Sequence, residues 1–346
     1  IDFMRFIINS WRKRSLWLVL LLPLAYLFRV IVFIRKRLLY RTERPKNFTV
    51  PVVVIGNITV GGSGKTPLTI TIANKLVSLG YKPGIVSRGY KAHAPHYPFS
   101  VKSNGDATFT GDEPLLIAKN TECPVVIDAD RSRSVRFMLN EFDVDVILSD
   151  DGLQHYKMYR DVEICVVDEN GVLINKNCLP AGPLREPLSR LEDVDLIVLN
   201  GINQNDISKS LLGKTYQMKM IPRSLVNLST NEIKPFGGAP FNIGNRIQAI
   251  TAIANPNRFF ETLEDLPYPI EKIYYPDHYE FSSDDFVSEK IDEHQPVVMT
   301  EKDAVKCGAF ANNNFWMLTT NTKLDDTFFN ALTSKIDCLK KDIAHN

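Results

Sequence analysis

The stretch from Pro51 to Thr66, P-V-V-V-I-G-N-I-T-V-G-G-S-G-K-T, constrains this chain more than any other. Val52 to Ile55 is a β-branched run and predicts a buried strand. Gly61-Gly62-Ser63-Gly64 predicts a tight turn, and Leu68 to Leu79 has helical spacing with Gly80 placed to end it. Strand, glycine turn, Lys65-Thr66 and helix in that order predict a phosphate-binding loop. Glycines let successive N–H groups converge on phosphate oxygens, and the helix N-terminus adds positive potential. Thr59, Val60, Gly61, Gly62, Ser63, Gly64, Lys65 and Thr66 are therefore expected to hold a nucleotide. Lys65 is expected at the β- and γ-phosphates and the Thr66 hydroxyl at Mg²⁺. The strict pattern G-x-x-x-x-G-K-[ST] puts glycine at position 59, where this chain has Thr59.

After Pro51, short apolar runs alternate with helical segments. Val52–Ile55, Gly84–Ser87, Val125–Asp128, Val144–Ser149, Val162–Val167 and Leu196–Leu199 are expected strands. Several lack polar alternation, the pattern of strands covered on both faces. The fold class is therefore α/β: a P-loop NTPase-like, mainly parallel sheet with flanking helices. A polar, turn-rich stretch with Pro222, Pro235, Gly237 and Gly238 reads as a linker. A second, smaller α/β unit is expected after it, with strands at Ile247 and Pro296–Thr300 and a helix near Pro256–Leu263. The expected divisions are a membrane-associating helix at 1–40, a nucleotide-binding domain at 41–214, a linker at 215–240 and a C-terminal α/β domain at 241–346. A net charge of +1 provides no general attraction to nucleic acid. Five scattered cysteines without C-x-x-C predict reduced thiols, with no disulfide framework or zinc cluster.

The first forty residues stand apart. Leu16 to Phe28 is an apolar run interrupted by Pro23, stopped by Arg29 and resumed over Val30–Ile34. Arg12, Lys13 and Arg14 precede it, and Arg35, Lys36, Arg37, Arg41 and Arg44 follow. A spanning helix needs about 20 apolar residues, which here would enclose Arg29 at about 3 kcal/mol if central. A secretory signal would want a small-residue cleavage site, and more basic charge follows instead. A helix lying in the membrane interface fits the pattern best, its apolar side in lipid and its cations at anionic headgroups. A helix packed on the protein's own core is the competing reading.

Asp143 to Asp151, D-V-D-V-I-L-S-D-D, is an apolar strand ending in two carboxylates. In an open α/β sheet, ligands sit beyond the carboxyl ends of the strands. Asp150 and Asp151 are thus candidates for Mg²⁺, against the plainer reading of a strand ended by a turn. Gln154 and His155 continue the same rim. Gly111-Asp112-Glu113-Pro114 reads as a helix cap with an acidic first turn, or as a source of the general base. Arg88, Arg131, Arg133, Arg136 and Arg185 are ordinarily surface residues, yet phosphoryl transfer needs a positioned cation, and prolines frame Arg185. His278 alone, in D-H-Y-E-F, reads as structural.

Taken together, the motifs resemble the tetraacyldisaccharide 4'-kinase family of lipid A biosynthesis. The matching pieces are the basic-apolar N-terminus, I-G-N-I-T-V-G-G-S-G-K-T-P, S-R-G-Y, G-D-E-P, D-D-G-L-Q-H, R-D-V-E-I, L-P-A-G-P-L-R-E-P, P-D-H-Y-E-F and T-E-K-D-A-V-K, in family order. Thr59 in place of glycine is also a family trait. The resemblance implies transfer of the ATP γ-phosphate, with Mg²⁺, to the 4'-hydroxyl of a tetraacylated glucosamine disaccharide 1-phosphate. It implies a monomer at the cytoplasmic face of the inner membrane, peripheral or monotopic, whose partners are the lipid substrate and the membrane surface. It also implies Asp112 as base paired with His278, and Lys65 and Arg185 as cations on the transferring phosphoryl group. Thr66, Asp150, Asp151, Glu113 and Gln154 become the metal-side candidates.

Two other readings compete. Partitioning ATPases carry a signature lysine where this chain has Val60. A soluble P-loop kinase or ligase for a small metabolite would leave the N-terminal segment unexplained.

Overall fold

The β-branched run at Val52 lies near the middle of one long sheet. The computed structural model describes residues 2–42, 48–168, 175–202, 208–242, 244–287, 291–292 and 294–344. In it, β1 (Val52–Asn57) is buried at all positions. The remaining strands, in chain order, are β2 (Pro83–Ser87), β3 (Phe99–Val101), β4 (Val125–Ile127), β5 (Val146–Ser149), β6 (Val162–Asp168), β7 (Leu196–Asn200), β8 (Thr215–Asn227), β9 (Ile233–Pro235), β10 (Ile247–Thr251), β11 (Ile270–Tyr274), β12 (Val297–Thr300) and β13 (Phe315–Leu324). Their spatial order is β11-β10-β12-β13-β8-β7-β6-β1-β5-β2-β4-β3, with β9 added beside β8.

Strands β4, β2, β5, β1, β6 and β7 run parallel, so their carboxyl ends form one rim. β3 closes one edge antiparallel to β4. On the far side, β10, β11, β12 and β13 form a second parallel set. The two sets meet at β8, parallel to β7 and antiparallel to β13.

The expected linker is therefore corrected in its first half: residues 215–227 are the joint of a continuous sheet. Two local features conceal this strand in the sequence. Its burial alternates instead of running unbroken. Pro222, which argues against a strand, sits where the register with β13 shifts between Thr319 and Thr320. A bulge of this kind removes the demand for a ladder N–H. The helix Lys65–Ser78 packs Leu68, Ile72 and Leu76 on the nucleotide half of the sheet. The helix Asp326–Ala344 returns from the far half to the same core through Phe328, Leu332 and Ile336.

The N-terminal segment is three pieces, not the single helix expected. They are a helix Asp2–Lys13, a 3-10 turn Leu16–Leu21 and a helix Leu22–Thr42. Arg14, with φ 49°, makes the first bend. Pro23 falls in the first turn of the last helix, where its missing N–H costs nothing. Leu16–Leu39, 24 residues, is long and apolar enough to cross a membrane by length and composition. Several contacts nonetheless hold the segment along the body. Trp11 Nε1 donates to Pro180 O at 3.0 Å, Phe28 packs beside the core around Leu184 and Leu191, and Lys36 pairs with Asp193 at 2.6 Å. The other side shows Leu16, Leu20, Leu24, Leu27, Ile31 and Phe33 to solvent.

Candidate active site

The loop leaving β1 adopts the shape its glycines permit. Gly61 has φ 105° and Gly64 φ 93°, both in the left-handed region. The helix begins at Lys65, directly after Gly64. Two side chains hold the turn: Asn57 Nδ2 donates to Thr59 Oγ1 at 3.3 Å, and Asn200 Nδ2 donates to Ser63 O at 2.9 Å. Thr59 is buried and bridges to Leu184. Val60 donates its N–H to Pro183 O at 2.9 Å, and Arg185 donates its own to Ile58 O at 2.7 Å. The proline-framed turn is thus laced to the approach of the phosphate loop. Because its N–H is already engaged, Val60 does not present it to a phosphate, and the cradle begins at Gly61.

The end of β5 brings two carboxylates to this cradle. Asp150 is fully buried and accepts from Thr69 Oγ1 at 2.9 Å and from Thr66 Oγ1 at 3.5 Å. Burial, then the nearby charges of Glu113 and Asp151, push its carboxyl up to about 7. Asp151 follows at φ 46°. Its burial favours the neutral acid, but Lys65 at 3.5 Å, then Arg185 at 4.0 Å and Arg131, hold it below the usual carboxylate range. One carboxyl pushed up beside one held down is an environment that a divalent cation would rebalance.

Arg131 departs from the expectation of a surface residue. It is buried, donates Nη2 to Asp150 O at 2.9 Å, and keeps Nε and Nη1 without a hydrogen-bond partner. Burial lowers its guanidinium to about 10, against the pull of Asp150 and Asp151. Arg133 instead pairs with Asp128 at 2.5 Å. His155 is held neutral: burial, then Arg131 and Arg160, push its imidazole down to about 4.

Gln154 was expected near the metal. Its amide instead donates to Asn57 O and to Glu186 Oε1, both at 2.8 Å. It belongs to a buried network in which Glu186 also meets Tyr156 and Arg190, and Arg190 and Arg160 share Glu163. A buried charge survives only when paired and hydrogen-bonded, and here the pairing fixes the turn bearing Arg185.

Asp112 and His278, 166 positions apart, meet across the two halves of the sheet: His278 Nδ1 lies 2.9 Å from Asp112 Oδ2. Asp112 opens the helix Asp112–Asn120 after Gly111, with φ 81°, and Oδ1 accepts the Glu113 N–H at 3.0 Å. The cap and base readings therefore coincide in one carboxylate. Its burial favours the acid, but the bond from His278 and the charge of Lys302 hold Asp112 below its ordinary value. Lys302 was not singled out from sequence. It sits 3.0 Å from Glu113 Oε1, so Glu113, expected at the metal, has its carboxylate engaged by this ammonium. A lysine in the first turn of a helix lies at the unfavourable end of the helix dipole. That misplacement was the available cue.

Lys65, Thr66, Arg185 and Asp151 from the nucleotide half and His278 and Lys302 from the other line one cleft of about 880 Å³. Among the described residues, no group of three or more His, Cys, Asp or Glu side chains forms a metal cage. Mg²⁺ is commonly held by one or two carboxylates together with substrate phosphates, which suits a hydroxyl and two aspartates at a phosphate cradle.

Comparison with known proteins shows the family. The family model described as LpxK, tetraacyldisaccharide-1-P 4'-kinase, matches residues 17–337. A tetraacyldisaccharide 4'-kinase of Legionella pneumophila (strain Lens) is 42% identical over 332 residues, covering 96% of this chain and 98% of that protein. The enzyme of the same name from Hahella chejuensis is 39% identical over 336 residues, covering 95% of this chain and 96% of its own. The crystal structure of LpxK from Aquifex aeolicus in complex with ATP superposes with a TM-score of 0.74 at 27% identity, covering 93% of this chain and all of that one. On this breadth of match, the chain belongs to the tetraacyldisaccharide-1-phosphate 4'-kinase family.

Proposed function

We propose that Asp112 and His278 activate the acceptor hydroxyl while Lys65 and Arg185 stabilise the phosphoryl group moving toward it. The overall reaction follows from the family: ATP-dependent phosphorylation of a tetraacyldisaccharide 1-phosphate at its 4'-hydroxyl, in lipid A biosynthesis. The regulatory ATPase and small-metabolite readings are not favoured beside it.

One observation carries the division of roles, the 2.9 Å contact between Asp112 and His278. The expectation made Asp112 the base. A buried carboxylate held below its ordinary value by a histidine and a lysine is a weak proton acceptor. It is well placed to orient an imidazole and stabilise the imidazolium that forms. His278 Nε2 then accepts the hydroxyl proton as the 4'-oxygen attacks the γ-phosphorus. The bond to the β–γ bridging oxygen breaks, and ADP leaves. Lys65 follows the β- and γ-oxygens, and Arg185, held by the turn at Leu184, meets the charge spread over the transferring group. Mg²⁺, held by Thr66 with Asp150 or Asp151, would neutralise phosphate oxygens when bound. Asp112 comes from the half of the sheet that holds the loop and His278 from the other, so the base is built from both halves of one continuous sheet.

The family's place in lipid A biosynthesis suits a monomer at the cytoplasmic face of the inner membrane, and the N-terminal segment supports a chain that lies on a membrane surface. Its body-side contacts at Trp11, Phe28 and Lys36 run along the protein, and its other side is apolar. A helix that crossed about 30 Å of hydrocarbon would not keep such contacts along its length. An acylated acceptor would reach the cleft from that surface.

The deciding experiment gives the full chain Mg-ATP and a tetraacyl disaccharide 1-phosphate in detergent micelles. Phosphate on the lipid is the expected result; transfer only to a soluble acceptor sinks the reading.

A further inference from the structure

Lys302 stands in the first turn of the helix Glu301–Cys307, and its surroundings account for so unfavourable a place. Its Nζ lies 3.0 Å from Glu113 Oε1, 3.2 Å from His278 Nε2, 3.7 Å from Asp277 Oδ1 and 3.9 Å from Asp112 Oδ2. Burial opposes its charge, but Glu113, Asp112 and Asp277 hold the ammonium above the ordinary lysine range. An ammonium has donors and no lone pair. The nitrogen that faces it must therefore be the acceptor. With Nε2 accepting from Lys302, the ring proton sits on Nδ1 and is donated to Asp112.

The placement is rigid from behind. Asp303, next in the helix, is buried and accepts from Thr251 Oγ1 at 2.8 Å, Thr300 Oγ1 at 2.7 Å and Ala252 N at 3.1 Å. His278, with φ 57°, donates its own N–H to Ala252 O at 3.1 Å. Lysine and imidazole are thus referenced to one residue, Ala252, just past the end of β10. The other groups facing His278 are the edge of Tyr90 at 4.9 Å, Asp277 at 3.9 Å from Nε2, and Lys91 on the backbone carbonyl at 2.8 Å.

We propose that Lys302 is the positioning residue of the Asp112–His278 pair, keeping Nε2 an unprotonated acceptor in the free enzyme until the acceptor hydroxyl takes its place there. The proposal rests on the reading of His278 as proton acceptor. Asp112 alone would favour a proton on both ring nitrogens, since a carboxylate stabilises imidazolium. A doubly protonated ring cannot accept the hydroxyl proton. The lysine excludes that state and also links Glu113 and Asp112 on one half of the sheet to the His278 turn on the other.

The test is ¹⁵N NMR of the histidine-labelled full chain in detergent micelles at about pH 7.5, a unit above the ordinary imidazole value. A His278→Gln sample assigns the signal. In wild type, His278 is expected to show one protonated nitrogen and one unprotonated nitrogen. In Lys302→Met, both should be protonated, and Lys302→Arg should restore the wild-type pattern. With the lipid acceptor, Lys302→Met should lower kcat about tenfold or more, within the range general-base catalysis supplies, while KM for ATP changes less than about twofold. Lys302→Arg should recover most of that loss. A His278 pattern unchanged in Lys302→Met, or a wild-type Nε2 already protonated, overturns the proposal, as does an unaltered kcat. If Lys302→Met does not fold, the wild-type spectrum still decides, since a protonated Nε2 there excludes the role. The spectrum is read without phosphoryl transfer, so failure here is distinct from failure of the kinase reading.

Discussion

Arg258 and Asn200 are bonded across the two halves of the sheet: Arg258 Nη1 donates to Asn200 Oδ1 at 2.7 Å. Asn200 in turn holds Ser63 O, and its Nδ2 would lie 2.7 Å from a Cβ added at Gly64. The shape of the phosphate loop is therefore set partly from the far half of the molecule. Arg258→Ala should weaken ATP binding about 3- to 10-fold, the worth of one lost hydrogen bond. Gly64→Ala should abolish it, through both the collision and the strain at φ 93°. Calorimetric titration with ATP checks both; wild-type affinity in Arg258→Ala would separate the loop from the Arg258–Asn200 bond.

Lys65 is 3.5 Å from Asp151 and has no role in the core, so its loss should fall on chemistry. Lys65→Ala is expected to reduce turnover by about 10³ or more while leaving thermal stability near that of wild type. Lipid phosphorylation and a melting curve on one preparation suffice. Retained turnover would remove the loop lysine from the mechanism.

Asp112→Asn keeps the size of the side chain but, with its oxygen still on the Glu113 N–H, reverses its bond to His278. Donors would then face both ring nitrogens, the introduced amide at Nδ1 and Lys302 at Nε2, so the ring loses its orienting partner, a fault that costs up to about 10⁴ in kcat where a carboxylate orients a catalytic histidine. The expected signature is a large fall in kcat with little change in KM for ATP. A selective loss of ATP affinity would make Asp112 a helix cap alone.

Membrane contact can be separated from folding because the N-terminal segment has two sides. Leu20, Leu27 and Ile31 are 79%, 54% and 53% exposed, whereas Trp11, Leu18 and Ala25 are buried. Replacing the first three with Asn should release the protein from anionic lipid vesicles, since about 1.5–3 kcal/mol is at stake for each large apolar side chain withdrawn from lipid. Circular dichroism should be unchanged. Undiminished sedimentation with vesicles would place the contact on another surface.

His155 predicts a pH effect with a definite sign. The folded state holds its imidazole at about 4, through burial and then Arg131 and Arg160, against an ordinary 6.5. The unfolded chain takes up this proton as pH falls through 6.5 and the folded chain does not, so stability is full above that value and lost progressively toward pH 4. With its partial exposure discounted, the loss is at most about 2 kcal/mol. His155→Asn should flatten the decline in melting temperature between about pH 7 and 5; an identical slope in both proteins would assign the acid sensitivity elsewhere.

Much of the fold was legible because its signals are local. β-Branched runs at Val52 and Val125, and the β-branched-rich stretch from Val162, favour covered strands, and the glycines before Lys65 permit few turns. Asp150 and Asp151 follow from the end of such a run. The joint at β8 was not legible, since Pro222 and an alternating pattern argue for a linker until β13 is seen beside it. Gln154 and Glu113 carried the right chemistry for a metal site, yet Glu186 and Lys302 engage them. Those partners lie 32 and 189 positions away, beyond any window of sequence.

By itself, the sequence determined which backbone segments could be strands, where a phosphate could be cradled, and that an apolar, basic segment precedes the loop. These depend on φ freedom, side-chain branching and charge within a few residues. The family resemblance implied that His278 pairs with Asp112, but only the tertiary structure decided the geometry of that contact, that Lys302 occupies the far side of that imidazole, and that Arg131 is buried. Each is an electrostatic relation between groups distant in the chain, and its strength depends on separation and on exclusion of water, neither of which exists until the two halves of the sheet are joined.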